Sequence, residues 1–183
     1  MRRFAIASLI LLLYGCTPSM IASKKAGSYN ETIKKLAILV AEPGEMKGRG
    51  TGMYSGPASS KTSGAIADLN RALKNRLAPY FSAKGLPSET IAASEKSSDQ
   101  YSHRLVVTPS SASASCYYMR CQATVRISVA LQDSRSKAIV WTGAFDVPEA
   151  SASHTIDDET ANKVSELIWR AFQSENLVAV AAK

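Results

Sequence analysis

The three cysteines are the residues most open to chemistry in this 183-residue chain. Cys16 closes an N-terminal stretch in which Arg2 and Arg3 precede an apolar run, residues 4–14, broken only by Ser8, and Gly15 supplies a small residue before a cut at Cys16. A basic start, a short apolar run and a small residue at the cut make a secretory signal, too short to span a bilayer. Export places the other two cysteines in an oxidising compartment. There Cys116 and Cys121 are expected to form a disulfide around Tyr117, Tyr118, Met119 and Arg120, with free thiols as the alternative. Loop entropy makes so short a bridge worth roughly 2 kcal/mol. The spacing is not the C-x-x-C of a redox pair, and no second Cys/His cluster completes a zinc site, so no metal is expected. Tyr117, Tyr118 and Arg120, held in that loop, are the side chains expected to meet a partner.

Other reactive types are sparse. His103 starts an extended run and His154 lies in a Ser-rich loop; each reads as a surface or strand-end residue, and no G-x-S-x-G elbow accompanies the many serines. Glu42, Glu45, Asp146, Glu149, Asp157, Asp158 and Glu159 read as caps or solvated carboxylates rather than a glycosidase pair or a cation site. The stretch from Gly56 to Thr62 has a phosphate-loop flavour, but Ser60 stands where a Walker A motif needs Gly before the Lys, so no nucleotide is expected. Trp141 and Trp169 read as core. No catalytic residue is assigned, no cofactor is implied, and the chain is expected not to be an enzyme. The charge is 22 basic against 15 acidic residues. Without a basic block of five or more and without interleaved aromatics, this speaks for anionic head groups or an acidic partner rather than nucleic acid.

The tetrapeptide Leu13-Tyr14-Gly15-Cys16 resembles the lipobox of bacterial lipoproteins, although Tyr14 stands where a small or β-branched residue is usual. The resemblance implies that the Cys16 thiol takes a diacylglycerol, that the signal is cut before it, and that the new amine is acylated. An ordinary secretory signal cut nearby is the alternative. Two or three acyl chains make a firm membrane anchor where one is marginal. Lipoproteins of this kind stay in the inner membrane when Asp follows the Cys. Thr17 follows here, which implies the outer membrane, facing the periplasm.

Removing residues 1–15 leaves 168 residues with net charge +5, enough for one domain with a real core. Residues 16–31, small and polar, are expected to form a flexible tether, and residues 32–183 a single domain. Residues 33–41 have the apolar run of a buried strand, and the six glycines of residues 44–64 read as a long loop. Ile66, Leu69, Leu73, Leu77 and Tyr80 recur at helical spacing over residues 64–83, with Pro79 expected to kink or end the helix and Gly85 to stop it. Residues 86–91 suit a short strand, and residues 103–108 another, stopped by Pro109. Val125, Ile127, Val129 and Leu131 alternate with polar or small residues, and after a turn at 133–137 Ile139, Trp141, Phe145 and Val147 continue on a return strand. A final helix capped by Asp157 or Asp158 carries Val164, Leu167, Ile168, Ala171 and Phe172 mainly on one face. The expected fold is a two-layer α+β domain: one mainly antiparallel sheet of three to five strands, two amphipathic helices on one face, order β-α-β-β-β-α.

The stretch from Ala123 to Val147, the closing helix, and the opening tracts KKLAILVAEPG and ADLNRALKNRLAPYFSAKGL together resemble small periplasmic α+β envelope lipoproteins: the lipopolysaccharide-assembly lipoprotein, auxiliary lipoproteins of ABC-type lipid transporters, penicillin-binding-protein activators and the curli-secretion lipoprotein. The likeness is one of pattern and assigns no functional residue. It implies a non-catalytic, lipid-anchored adaptor or accessory subunit of an envelope assembly or transport complex, with an envelope protein as partner. The alternative expectation is a periplasmic module that binds a lipid or glycan on Tyr117, Tyr118 or a tryptophan.

Overall fold

The computed structural model describes residues 17–42, 49–51, 55–92, 100–117, 120–149 and 155–179. The elements follow as β1 (Ser19–Lys25), β2 (Leu36–Val40), β3 (Arg49–Thr51), α1 (Ser55–Ala83), β4 (Ser88–Thr90), β5 (His103–Tyr117), β6 (Arg120–Asp133), β7 (Ile139–Pro148) and α2 (Asp158–Ser174). The seven strands form one sheet in the order β1-β7-β6-β5-β2-β4, and β3 adds to β5 beyond the end of β2. β1, β7, β6 and β5 are antiparallel neighbours, whereas β2, β3 and β4 join in parallel. This is the α+β class expected. The sheet is wider than three to five strands because short segments at both sides, with little apolar signal of their own, complete it.

Alternation decides which face is covered. Leu105 and Val107 on β5, Ala123, Val125, Ile127, Val129 and Leu131 on β6, and Trp141, Phe145 and Val147 on β7 are all buried. Over them lie both helices, α1 across β5 and β6 and α2 across β1 and β7, touching one another. Helix α1 contributes Ile66, Leu69, Leu73, Leu77 and Phe81, so Phe81 rather than the half-buried Tyr80 ends its apolar face. Phe81 packs on Trp169 and Phe172, and Phe172 meets Trp141 edge-on with ring centres 5.1 Å apart. Trp141 and Trp169 are core residues.

Both helices stop in the same way. The Gly85 N–H reaches Ser82 O and the Leu86 N–H reaches Phe81 O, with Gly85 at φ +86°. Asn176, at φ 55°, repeats this after α2, with Leu177 N–H on Phe172 O at 2.8 Å. Each is a left-handed residue that satisfies the last carbonyls and folds a buried leucine back on a phenylalanine. At the other end of α2, Asp157 accepts from Thr160 N, as a cap should.

Three sequence expectations need correction. Residues 19–25 are not free tether, because β1 pairs with β7 from Ser19 opposite Asp146 to Lys25 opposite Trp141. Helix α1 starts at Ser55 and runs through Pro79, so the stretch from Gly56 to Thr62 is helical and offers no phosphate-binding loop. The rest of the glycine-rich tract, apart from β3, lies outside the described residues.

Pro109, finally, does not stop β5. It faces Ile127 where Ser110 is the extra residue of a bulge, and on its other side it falls between the end of β2, at Val107, and the start of β3, at Ser113. A proline inside a sheet is tolerated where its missing N–H has no ladder to serve. The bulge also moves the inward row from Leu105 and Val107 to Ala112 and Ala114.

Candidate functional site

At the end of the sheet where β2 and β5 begin and β6 stops, four polar side chains come together. His103, the first residue of β5, is buried, and its Nε2 lies 2.5 Å from the Tyr29 hydroxyl, which also donates to Asp133 Oδ2 at 3.2 Å. Its Nδ1 lies 2.9 Å from Ser102 Oγ. The Ser102 hydroxyl is already committed, because it accepts from the Lys34 and Lys35 amides and donates to Lys35 O. Asp133 Oδ1 meanwhile holds the turn after β6 through the Ser136 amide and hydroxyl.

The electrostatics follow from this packing. Burial pushes the His103 pKa below its ordinary value, against the pull of Asp133 and Glu31. The Ser136 amide, above all, holds the Asp133 carboxyl below the usual range. Burial raises the Tyr29 phenol, and the Asp133 charge adds to that. The cluster is therefore a neutral imidazole and a protonated phenol beside a fixed carboxylate. With the single Tyr29 proton on Asp133, the Tyr29 oxygen accepts from Nε2–H, and Nδ1 is left as an acceptor facing the Ser102 hydroxyl. This geometry ties the loop before β2, the start of β5 and the end of β6 to one another. A serine whose oxygen already receives two backbone amides is not poised as a nucleophile.

Beside the cluster is a cleft of about 510 Å³ whose lining includes Lys34, Lys35, Tyr101, Ser102, Asp133 and Arg135. The Lys35 ammonium sits 4.7 Å from the centre of the Tyr101 ring. A second depression, about 360 Å³, lies on the sheet face away from the helices, among Ala22, Val106, Thr108, Ser128, Ala130 and Ala144.

The loop expected around the cysteines is the tip of the β5–β6 hairpin. Cys116 stands directly opposite Cys121 and Tyr117 opposite Arg120, while Tyr118 lies outside the described residues. Among the described residues, β7 pairs along β6 as far as Thr124, opposite Pro148, with the Glu149 N–H on Ala123 O just beyond, and β3 pairs along β5 as far as Ser115. Residues 116 and 121 lie in this hairpin beyond these pairings of the described residues. The hairpin is held at Ala123 by Glu149, which is buried, accepts from the Ala123 amide at 2.9 Å and pairs with Lys61 at 2.8 Å.

The remaining singled-out residues separate widely. Asp146 pairs with Arg126, Asp158 with Arg76, Glu159 with Lys163 and Glu42 with Lys74. Among the described residues no group of three or more His, Cys, Asp or Glu could hold a metal ion. Cys16, Glu45 and His154 lie outside the described residues.

Sequence reasoning missed Tyr29 and Asp133 as partners of His103, since 74 and 30 residues separate them from it, and only the sheet register and the loop after β1 bring them together. It missed Glu149 as a buried clamp for the same reason.

No family model matches the chain, and no curated protein does. Among solved structures it is similar to a PelC dodecamer from Paraburkholderia phytofirmans, with 13% identity over 90% of this chain and 100% of that one and a TM-score of 0.44. A DUF330 protein from Xanthomonas campestris gives 13%, 88%, 96% and 0.46 in the same terms. Lipoprotein GNA1162 from Neisseria meningitidis gives 15%, 77%, 99% and 0.38. At these identities and scores the likenesses carry no function across.

Proposed function

We propose that the chain is a non-catalytic envelope lipoprotein, anchored at Cys16 and facing the periplasm from the outer membrane, that serves as adaptor or accessory subunit of an envelope assembly or transport complex. The observation that carries the adaptor reading is the β5–β6 hairpin, in which Cys116 stands opposite Cys121 and Tyr117 opposite Arg120, with Glu149 and Lys61 holding it at Ala123. A hairpin whose sequence brings Tyr117, Tyr118 and Arg120 together is the kind of segment that anchors a protein contact, aromatic and arginine side chains being the usual source of binding energy. The engagement of Ser102 and His103 within the fold supports the non-catalytic part.

The test is affinity purification from mildly solubilised membranes after in-cell crosslinking. One envelope protein is expected with the wild-type chain. It should be depleted both with Cys16→Ala and with the combined Tyr117→Ala, Tyr118→Ala and Arg120→Ala variant, the latter remaining in the membrane. Recovery of the wild-type chain alone sinks the adaptor reading.

A second reading, a module for an anionic lipid or glycan, is favoured by the cleft between Lys34, Lys35, Tyr101 and Arg135. Calorimetry on a chain starting at Thr17, which keeps β1, against lipid A, phospholipid and muropeptides decides it. Flat titrations with all three end that reading.

A further inference from the structure

The distance between the anchor and the folded domain is the least expected feature of the chain. β1 begins at Ser19, and Pro18 just before it is buried, so only Thr17 separates a modified Cys16 from residues fixed in the sheet. Three residue steps span at most about 11 Å. A free tether over residues 16–31 would let the domain wander roughly 20 Å or more from its anchor. With Cys16 acylated, so short a link would keep one corner of the sheet close to the membrane.

That corner carries the right chemistry. Met20 and Ile21 are 45% and 48% exposed, two of the three large hydrophobic side chains that stand out from the described surface. They fall at a bulge in β1, where the register with β7 slips between Met20 and Ala22. Bulges re-aim side chains, and this one places two apolar groups on the open outer edge of the sheet. Lys24, exposed four residues further on, adds a positive charge, while the acidic residue opposite Ser19, Asp146, is neutralised by Arg126. A lone apolar pair on an edge strand would ordinarily invite strand pairing with another chain. Tethering at Cys16 puts this pair within reach of the interfacial zone, where apolar side chains and lysine are both favoured.

We propose that the β1 corner docks on the bilayer, with Met20 and Ile21 inserted at the boundary between head groups and acyl chains and the β5–β6 tip held at a fixed height and orientation. This rests on the acylated Cys16 of the proposed function, and the two are tested separately. The acylated full chain, with Cys116→Ser and Cys121→Ser, is placed in vesicles of phosphatidylethanolamine and phosphatidylglycerol. An environment-sensitive fluorophore is attached at Ile21→Cys or, as comparison, at Ile139→Cys, an exposed position roughly 20 Å along β7 from the Met20 end. Mass spectrometry of the N-terminus first establishes the acylation; an unmodified Cys16 overturns the anchor reading by itself. With acylation present, residue 21 is expected to emit at shorter wavelength and to be quenched several-fold more by lipid-borne quenchers than residue 139. Equal quenching at the two positions overturns the docking. A blue shift at residue 21 without lipid quenching also overturns it, since the corner is then covered by protein. If Ile21→Cys fails to fold by circular dichroism, Met20→Cys takes its place with the same outcomes.

Discussion

At the scale of single residues the fold depends on two tight places. Gly143 lies between Trp141 and Phe145 on the helix-covered side of β7, and a Cβ there would sit 2.5 Å from the far edge of the Trp141 indole. The ring cannot easily move, because its Nε1 donates to Ser23 on β1 and its face meets Phe172. Gly143→Ala should therefore destabilise by about 1–3 kcal/mol, read from urea unfolding, even though alanine suits a strand better than glycine. The second place is His103. Its folded-state pKa lies below the ordinary 6.5, so below that value the unfolded chain binds the proton more readily than the folded one. The contribution is complete above pH 6.5 and is lost as pH falls from there through the folded-state value. Stability measured over this window should decline in the wild type. His103→Gln should be less stable at neutral pH yet lack that part of the decline; an unchanged slope in the variant would assign it to other groups.

At the scale of elements, the hairpin tip makes a redox prediction. An antiparallel pair places directly opposite Cα atoms about 4.5–5.5 Å apart, inside the range a disulfide accepts. The register of Cys116 on Cys121 therefore allows the bridge with no change in backbone. The exported protein should gain mass on reduction and alkylation, and Cys116→Ser with Cys121→Ser should cost about 2 kcal/mol under oxidising conditions and little under reducing ones. The same hairpin shows what was legible in the sequence. β6 and β7 were readable from Val125 to Leu131 and from Trp141 to Val147, where large apolar residues recur at every second position save Gly143. The second half of β5, SSASASCY, was not, because alternating Ser and Ala carry a weak signal and Pro109 reads as a stop. Only the tertiary pairing, in which Pro109 falls beside a bulge and between the described ends of β2 and β3, shows how the strand continues past it. β1, with the sequence SMIASKK, is an edge strand stabilised by β7 rather than by its own pattern. Helix α1 was legible where leucines recur and hidden over its Gly-, Ser- and Pro-rich first turns. The polar cluster of Tyr29, His103 and Asp133 was invisible, since register sets His103 opposite Asp133 and the loop after β1 brings Tyr29 to them.

At the scale of the whole molecule, β1 ties the sheet edge, the core and the second layer together in one segment. It closes the β7 edge of the sheet, covers Trp141 through the Ser23 hydroxyl, and is extended by the Ala26 N–H on Val140 O. At its far end Lys25 donates to Glu175 O at the end of α2, which fastens the strand to the second layer as well. A cut before Cys16 leaves all of this intact. A cut after Lys25 would bare the whole β7 ladder, expose one side of Trp141 and free a carbonyl at the α2 terminus. Unpaired strand edges beside apolar surface promote association between chains. A chain beginning at Thr17 should therefore be monodisperse, or at least of defined size, with Trp141 fluorescence typical of a buried indole. One beginning at Ala26 should show red-shifted emission, lower urea stability and concentration-dependent aggregation in light scattering. Trp169, packed on Phe81, is the second indole, so emission recorded in a Trp169→Phe background isolates Trp141. If the two chains match in emission and stability, β1 is dispensable to the domain, and the short link between anchor and sheet loses its physical basis.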